Sequence, residues 1–463
     1  TAKETAAYGL GAVGKDMVYA LSASYVMYYY QDILGLSASF VGLILMAARI
    51  FDAFNDPFMG VLVAKTNTKF GKFRPWILSG TILNAFVLYA LFRAPGISGS
   101  GLMIYFAVLY IVWGITYTMM DIPYWSMIPA VTDNPKDREN LSVVGRTCAG
   151  VGNAFITILT VMAVSTLGSG NERTGFGRFA LIIAVIFVVT EVILFVTIKE
   201  QPAGQTEMKT ASVKEMFSAL IRNDQAVVTV IAIILIDCAL YITSNLIIYF
   251  FKYDIGAAVG GSWQGSYTLF STVGGAAQIL GMMLVYPILR KKLSNTSVFK
   301  LCLGMSMTGY ALILIFCQIG LSHNLPLLLA PGALVFAANG MLTVLTTVFL
   351  SNSVDYGELK TGHREESVIF SMQTFVVKAS SGFAVFLTGI GLDLIGLVGN
   401  SDTEGEIVAQ SASALNGLHF LMTVIPFAGL LIALLVFIKK FTLTDERAVE
   451  IADELKAKRK NAL

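Results

Sequence analysis

The chain has 463 residues, of which 56% are hydrophobic and only 13% charged, with a mean hydropathy of +0.72. A soluble globular chain carries about twice that charged share. A string of soluble domains is therefore excluded, and one polytopic membrane protein is expected. A formal net charge of +2 is too small to point to a nucleic-acid partner.

A bilayer core takes about 20 apolar residues of helix. Runs of that kind lie at 8–33, 38–64, 75–93, 101–131, 141–168, 176–198, 226–252, 262–289, 298–319, 325–354, 366–397 and 412–438. The first is interrupted by Lys15 and Asp16 and has no cleavage site after it, so no cleavable signal peptide is expected. The chain begins at Thr1 without Met, which implies removal of at least one residue. The longest polar break is 199–225, "KEQPAGQTEMKTASVKEMFSALIRNDQ", in which "SVKEMFSAL" fits a short amphipathic helix. The tail from Thr442, "TLTDERAVEIADELKAKRKNAL", places Thr444 before two acids and an amphipathic pattern, so a capped helix is expected there, with no soluble domain after it. Cys148, Cys238, Cys302 and Cys317 are scattered singly without metal or redox spacing and read as buried, inert thiols.

The expected fold is thus an all-α polytopic membrane protein with 12 transmembrane helices. Its parts are a six-helix bundle over 1–198, a central cytoplasmic loop over 199–225, a second six-helix bundle over 226–440 and a cytoplasmic tail helix over 441–463. Twelve helices in two halves are the major facilitator superfamily arrangement, although no sequence repeat between the halves is visible. Lys65, Lys69, Lys72, Arg74, Arg290, Lys291 and Lys292 fall on one side, against Arg93, Arg173, Arg178 and Lys252 on the other. The positive-inside rule then puts both termini in the cytoplasm.

Charges inside spans are costly and mark function unless they are paired. "DAFND" places Asp52, Asn55 and Asp56 on one helix face. Two carboxylates and an amide form an oxygen-rich, anionic set suited to a hard monovalent cation or a proton. The plainer reading is an Arg49–Asp52 pair, which leaves Asp56 without a local partner. "TYTMMDIPYWSM" lines up Tyr117, Thr118, Asp121 and Trp125. A carboxylate accepts sugar hydroxyls while an aromatic ring covers the apolar face of a pyranose; the plainer reading is an interfacial aromatic. Pro123 and Pro129 are expected to kink this helix. Lys15 and Asp16 are adjacent, so they do not share a face and each is expected to need its own partner, unless Lys15 snorkels. The Arg146 fork is expected to reach Asp121 or Asp16. In the second half, "SMQTFVVKASSG" supplies Gln373, Thr374, Val377 and Lys378, with Lys378 read as a charge-balancing partner. Glu191, Asp237 and Asp393 lack such surroundings, and structural and functional readings of them are evenly weighted.

The motifs "YGLGAVGKD", "ARIFDAFNDPFMG", "GKFRPWILSGT", "WGITYTMMDIPYWSMIPAVT", "VDYGELKTGHREES" and "MQTFVVKASS" occur in order over nearly the whole length. In these the chain resembles the glycoside–pentoside–hexuronide:cation symporters, most of all their melibiose permease branch. The resemblance implies a cation site (Na⁺, Li⁺ or H⁺) at Asp52, Asn55, Asp56 and Thr118, and no other cofactor. It implies a sugar site at Lys15, Asp16, Tyr117, Asp121, Trp125 and Arg146, with Gln373, Thr374, Val377 and Lys378 from the other half. A tryptophan of the branch's tenth helix aligns with Thr343, a departure that leaves the sugar open. "KTGHREES" and "KTNTKFGKFRPW" also resemble lactose-transporting members, which leaves room for a cytoplasmic regulatory protein as a partner.

The implied function is symport of a glycoside, a galactoside such as melibiose first, across a bacterial inner membrane by alternating access. The loops "KTNTKFGKFRPW" and "DYGELKTGHREES" are either a charged lock or ordinary positive-inside loops. Alternatives are another glycoside, a pentoside, a glucuronide, or a lysolipid substrate. An enzyme is disfavoured because His323, His363 and His419 form no nucleophile–base or metal pattern. A channel is disfavoured because no filter-like repeat occurs.

Overall fold

A computed structural model of the chain describes residues 2–132, 135–200, 213–256, 263–362, 366–399 and 407–461. The described residues are nearly all helical. The helices are α1 (Ala2–Tyr28), α2 (Ala38–Ala64), α3 (Arg74–Leu91), α4 (Gly99–Ser126), α5 (Ile128–Val131), α6 (Pro135–Gly168), α7 (Glu172–Thr197), α8 (Val213–Arg222), α9 (Asp224–Tyr249), α10 (Trp263–Leu280), α11 (Tyr286–Arg290), α12 (Asn295–Gln318), α13 (Leu325–Thr361), α14 (Glu366–Ile395), α15 (Ala412–Lys440) and α16 (Asp445–Asn461). Among the described residues, ten helical stretches are long and apolar enough to cross a bilayer. Of the twelve spans expected, two fall short. One is α1, which contains Lys15 and Asp16; the other is α3, 18 residues long and opening on Arg74. The outer surface carries Phe86, Ile104, Val196, Met283 and Leu394 exposed. That is the inverse of a soluble surface and suits contact with lipid.

The chain divides into two compact units, one of 1–210 with 398–408, the other of 211–397 with 409–463. In the first, α1 packs on α6 and α7, and α4 packs on α2 and α3. Small residues permit the close approach. A side chain at Gly14 would strike Thr190, and one at Gly152 would strike the Val13 carbonyl. Asn84 of α3 donates to the Trp113 carbonyl and to Thr116 on α4, which satisfies the donor end of a buried amide. The chain after α2 is fastened by Glu200. Its carboxylate accepts the backbone amides of Lys72, Phe73 and Arg74 at 2.6–2.9 Å, while the Arg74 guanidinium donates to the Phe195 carbonyl. Gly71 is required here, because its φ is +105° and a Cβ would meet the same carboxylate at 2.5 Å.

The α4 helix passes Pro123 and breaks at Met127, just before the Ile128–Pro129 step that opens α5. The two prolines thus act unequally. Pro129 has no amide with which to continue the α4 hydrogen-bond ladder, and the interruption at Met127 falls two residues before it.

In the second unit, α9 packs on α14 and α15, and α13 on α10 and α12. Ile236, Phe299, Leu345, Phe349 and Phe437 form part of one apolar core. The expected amphipathic helix is present as α8, with Ala219 and Leu220 buried against Ile369 and Met372. The tail helix is also present. Thr444 accepts from the Arg447 amide as a cap, and Ile451 and Leu455 pack with Tyr356 and Leu359 of α13. Asp445 accepts the Asn295 amide and pairs with Arg290 at 2.9 Å.

The first long helix of each unit, α1 and α9, runs into a π-helical turn, Tyr29–Ile33 ("YYQDI") and Phe250–Ile255 ("FFKYDI"). Each carries a buried aspartate, Asp32 or Asp254. A local likeness between the halves therefore exists where none was expected from the sequence.

Candidate functional site

Lys15 is the centre of the first unit's charge cluster. It is only 2% exposed, and a buried ammonium is tolerated only with close partners. Its Nζ lies 2.7 Å from Asp121 Oδ1, 2.9 Å from Asp16 Oδ2 and 3.5 Å from the Tyr117 hydroxyl. It also lies 5.0 Å from the Trp125 ring centre and 5.3 Å from that of Tyr124. The expectation that Lys15 and Asp16 need separate partners is corrected. The long lysine stem brings the ammonium to ion-pair distance of its neighbour, although Asp16 Oδ2 accepts no aligned hydrogen bond. Snorkelling is corrected with it, since Lys15 points inward.

Asp121 Oδ1 also accepts from Trp125 Nε1 at 3.1 Å. The Asp121 side chain is 22% exposed, and its Oδ2 accepts no hydrogen bond among the described residues. That oxygen keeps its capacity to accept a hydrogen bond. Arg146 was expected to pair with Asp121 or Asp16. Instead it is exposed, with its guanidinium carbon 5.3 Å from the Trp125 ring centre. The indole thus has two cations near its ring as well as a carboxylate on its N–H, which fixes its orientation.

Position in the cluster is enforced by tyrosines that the sequence reading passed over. The Tyr8 hydroxyl donates to the Tyr124 carbonyl at 3.2 Å, the Tyr124 hydroxyl returns to the Tyr8 carbonyl at 2.6 Å, and the rings stack at 4.5 Å. These contacts tie α1 to α4 one turn beyond Asp121. Tyr8 lies seven residues before Lys15, on the same helical stripe, a spacing that could have flagged it.

The four cation candidates lie on α2 and α4 of the same unit. Asp52, Asn55 and Thr118 are buried and Asp56 is half-buried. The Thr118 hydroxyl donates to Asp56 Oδ1 at 3.3 Å. The Arg49–Asp52 pair exists, but at 3.5 Å, with the guanidinium also 5.1 Å from the Tyr19 ring. A Cβ at Gly114 would stand 3.0 Å from Asp52 Oδ1. The bare backbone of α4 is what admits that carboxylate.

In the second unit, Gln373 donates to Thr347 at 3.2 Å. Thr374 is exposed, Lys378 is half-buried, and Val377 packs against the apolar cluster of α9 and α14. Thr343 is exposed and donates to the Asn339 carbonyl. Lys360 of the second charged loop pairs with Asp224 at 2.7 Å, while residues 363–365, His363 included, lie outside the described residues. Glu191 is corrected from isolated to adjacent. It is fully buried on α7, with Oε1 3.3 Å from the place of a Gly11 Cβ, and it lies within the field of Lys15, Asp16 and Asp121. Neither of its oxygens has a hydrogen-bond partner among the described residues. Asp237 is half-buried, and Asp393 is exposed.

A model of the MFS/sugar transport protein family matches residues 7–445. The chain belongs to that family. It is a sugar transporter of the major facilitator fold, a multi-pass membrane protein of the glycoside–pentoside–hexuronide:cation symporter type, and not an enzyme. It is 30% identical to the raffinose carrier protein of Pediococcus pentosaceus over 97% of this chain and 70% of that one. It is 29% identical to the isoprimeverose transporter of Lactiplantibacillus pentosus over 92% and 86%. It is 27% identical to a protein of Escherichia coli named "Putative glycoside/cation symporter YagG", over 98% and 95%. The solved nucleoside transporter NupG shares the fold, with a TM-score of 0.69 at 12% identity, covering 95% of this chain and 100% of that one.

Proposed function

We propose that this sugar transporter couples entry of a monovalent cation to uptake of a neutral galactoside, melibiose or a related disaccharide or aryl galactoside, by alternating access. Na⁺ is the first choice of cation, with Li⁺ and H⁺ as alternatives. The observation that carries the reading is the layout of α4. Thr118, bonded to Asp56, and Asp121, bonded to Lys15, are three residues apart on one helix. Neutralising the Asp52/Asp56 group with a cation removes repulsion beside the helix that presents Asp121 to sugar. Asp121 Oδ2 and Asp16 accept hydroxyl hydrogen bonds, Trp125 covers the ring, and Arg146 supports the polar end. Gln373, Thr374, Val377 and Lys378 are the second unit's candidates for sugar contact. Two carboxylates disfavour a uronate, and both cations beside them are engaged, Lys15 with the acids and Arg146 over the indole. Thr343 offers no stacking surface, which suits a second ring or an aryl aglycone there.

The expected setting is a bacterial inner membrane with both termini cytoplasmic, as the distribution of Lys and Arg favours. A cytoplasmic regulatory protein is a further candidate partner. A second reading, another glycoside or a pentose-containing one, draws on the relative named an isoprimeverose transporter. A lysolipid substrate has no such support.

The test is uptake and competition with galactosides, glucosides, pentosides and glucuronides under Na⁺, Li⁺ or proton gradients. Melibiose, lactose or a nitrophenyl galactoside should displace bound galactoside. Glucuronide competing better than all three would overturn the substrate reading. Asp56→Cys should abolish Na⁺ stimulation of sugar binding, and stimulation surviving in both Asp52→Cys and Asp56→Cys would place the cation elsewhere. Asp121→Asn removes a charge-assisted acceptor worth roughly 1.5–3 kcal/mol, so sugar affinity should fall by at least tenfold.

A further inference from the structure

The second unit holds a cluster that neither sugar binding nor cation coupling uses. Asp254, at the end of the π turn after α9, accepts from or bonds to two imidazoles. His419 Nε2 of α15 lies 2.8 Å from Oδ2, and His323 Nε2, in the link between α12 and α13, lies 3.1 Å from Oδ1. Cys317 of α12 adds a thiol. A carboxylate oxygen of Asp254, a ring nitrogen of His419 and the Cys317 Sγ all lie within 4.8 Å of one another.

Three features separate this from an ordinary surface ion pair. The Asp254 and His419 side chains are only 9% and 7% exposed. The second ring nitrogen of His419, Nδ1, is buried with no hydrogen-bond partner among the described residues, a loss that a protein ordinarily avoids. His323 is 41% exposed, so the cluster has an open side.

We propose that Asp254, His419, Cys317 and His323 form a site for a borderline divalent metal ion, Zn²⁺ in the first instance. Thiolate, imidazole and carboxylate together are a zinc-type donor set, whereas Na⁺, Mg²⁺ and Ca²⁺ want oxygen throughout. With Zn–N and Zn–O bonds of about 2.1 Å and Zn–S of about 2.3 Å, tetrahedral ligand atoms stand roughly 3.3–3.8 Å apart. Asp254, His419 and Cys317 need a contraction of about 1 Å to reach that spacing, and His323, already bonded to Asp254 Oδ1, swings in from the open side as the fourth ligand. On binding, the Cys317 thiol passes its proton to solvent and coordinates as thiolate, and the imidazoles coordinate through lone pairs. Affinity therefore rises with pH. The site lies at the end of the second unit opposite α16, and it joins the ends of α9 and α12 to α15. The metal is chemically distinct from the coupling ion.

The test uses full-length protein purified in detergent on a tag without histidines, stripped with chelator, with no sugar added. Zn²⁺ titration by calorimetry should show one site per chain in the micromolar range. Cys317→Ser and His419→Gln should each weaken it roughly tenfold or more. Co²⁺ added instead should give a thiolate-to-cobalt charge-transfer band, absent in Cys317→Ser. The cobalt spectrum stands even if His419→Gln fails to fold, because Cys317→Ser keeps the Asp254–histidine bonds. Absence of a saturable Zn²⁺ site in the wild type, or equal binding and an unchanged cobalt spectrum in Cys317→Ser, overturns the proposal and leaves a structural Asp–His tie.

Discussion

Asp121 in the first unit and Asp254 in the second each have a nitrogen group within hydrogen-bond distance, Lys15 Nζ at 2.7 Å and His419 Nε2 at 2.8 Å. By distance the two pairs are alike. By chemistry they diverge, because an ammonium has three donors and no lone pair, whereas an imidazole can give a lone pair to a metal. The lysine cluster can hold its acids ready for hydroxyls but cannot ligate a metal through its nitrogen. The histidine cluster can. The identity of the nitrogen, rather than its closeness to the acid, decides what each carboxylate is for.

The contrast is broken most severely at Lys15. Lys15→Met should strand Asp16 and Asp121 without their buried cation, at a cost of about 3–5 kcal/mol. Thermal unfolding in detergent and galactoside binding should both register it. Wild-type stability in Lys15→Met would mean that the acids are already neutral. Gly114→Ala comes next. Its methyl would sit 3.0 Å from Asp52 Oδ1, and crowding of this kind costs roughly 1–3 kcal/mol. The loss should appear in Na⁺ stimulation more than in sugar binding measured without Na⁺.

His419→Gln should be milder, because an amide can still donate to Asp254. A net loss of about 1 kcal/mol is expected, read from the unfolding midpoint in metal-free buffer. The smallest effect is expected at the tail. Arg290→Ala removes a part-exposed pair with Asp445, worth roughly 0–1 kcal/mol and weakened by salt. Limited proteolysis of α16 at low and high ionic strength would detect it.

The spans were legible because bilayer thickness sets a length that apolar runs must meet. The α1 and α3 segments read as spans in sequence yet fall short on the structure's helices, and in α1 the deficit comes from the residues that make the site. The cluster of Lys15, Asp16, Asp121 and Trp125 was legible as candidates, since the cost of charge in a span singles them out. Its internal pairing was not. Whether Lys15 reaches Asp16 depends on how a four-carbon stem folds back, and whether Arg146 meets a carboxylate or an indole depends on how α6 packs. Glu191 looked isolated because its neighbours come from another helix. The company of Cys317 was hidden for the same reason, since Asp254 and His419 stand beside it only in space. Asp254 and His419 are 165 residues apart, and no local spacing announces such a set. The π turns were hidden because "YYQDI" and "FFKYDI" differ by an inserted residue and in most side chains.

The grip of Glu200 on the amides of Lys72, Phe73 and Arg74 has a practical consequence for dividing the gene. A two-polypeptide version of the transporter should be cut after Glu200 and before α8 begins at Val213. A first fragment ending at Ile198 would lose the anion that closes the turn after α2, leaving three backbone donors to find water instead. Co-expressed halves cut after residue 200 should complement each other in sugar uptake better than halves cut two residues earlier.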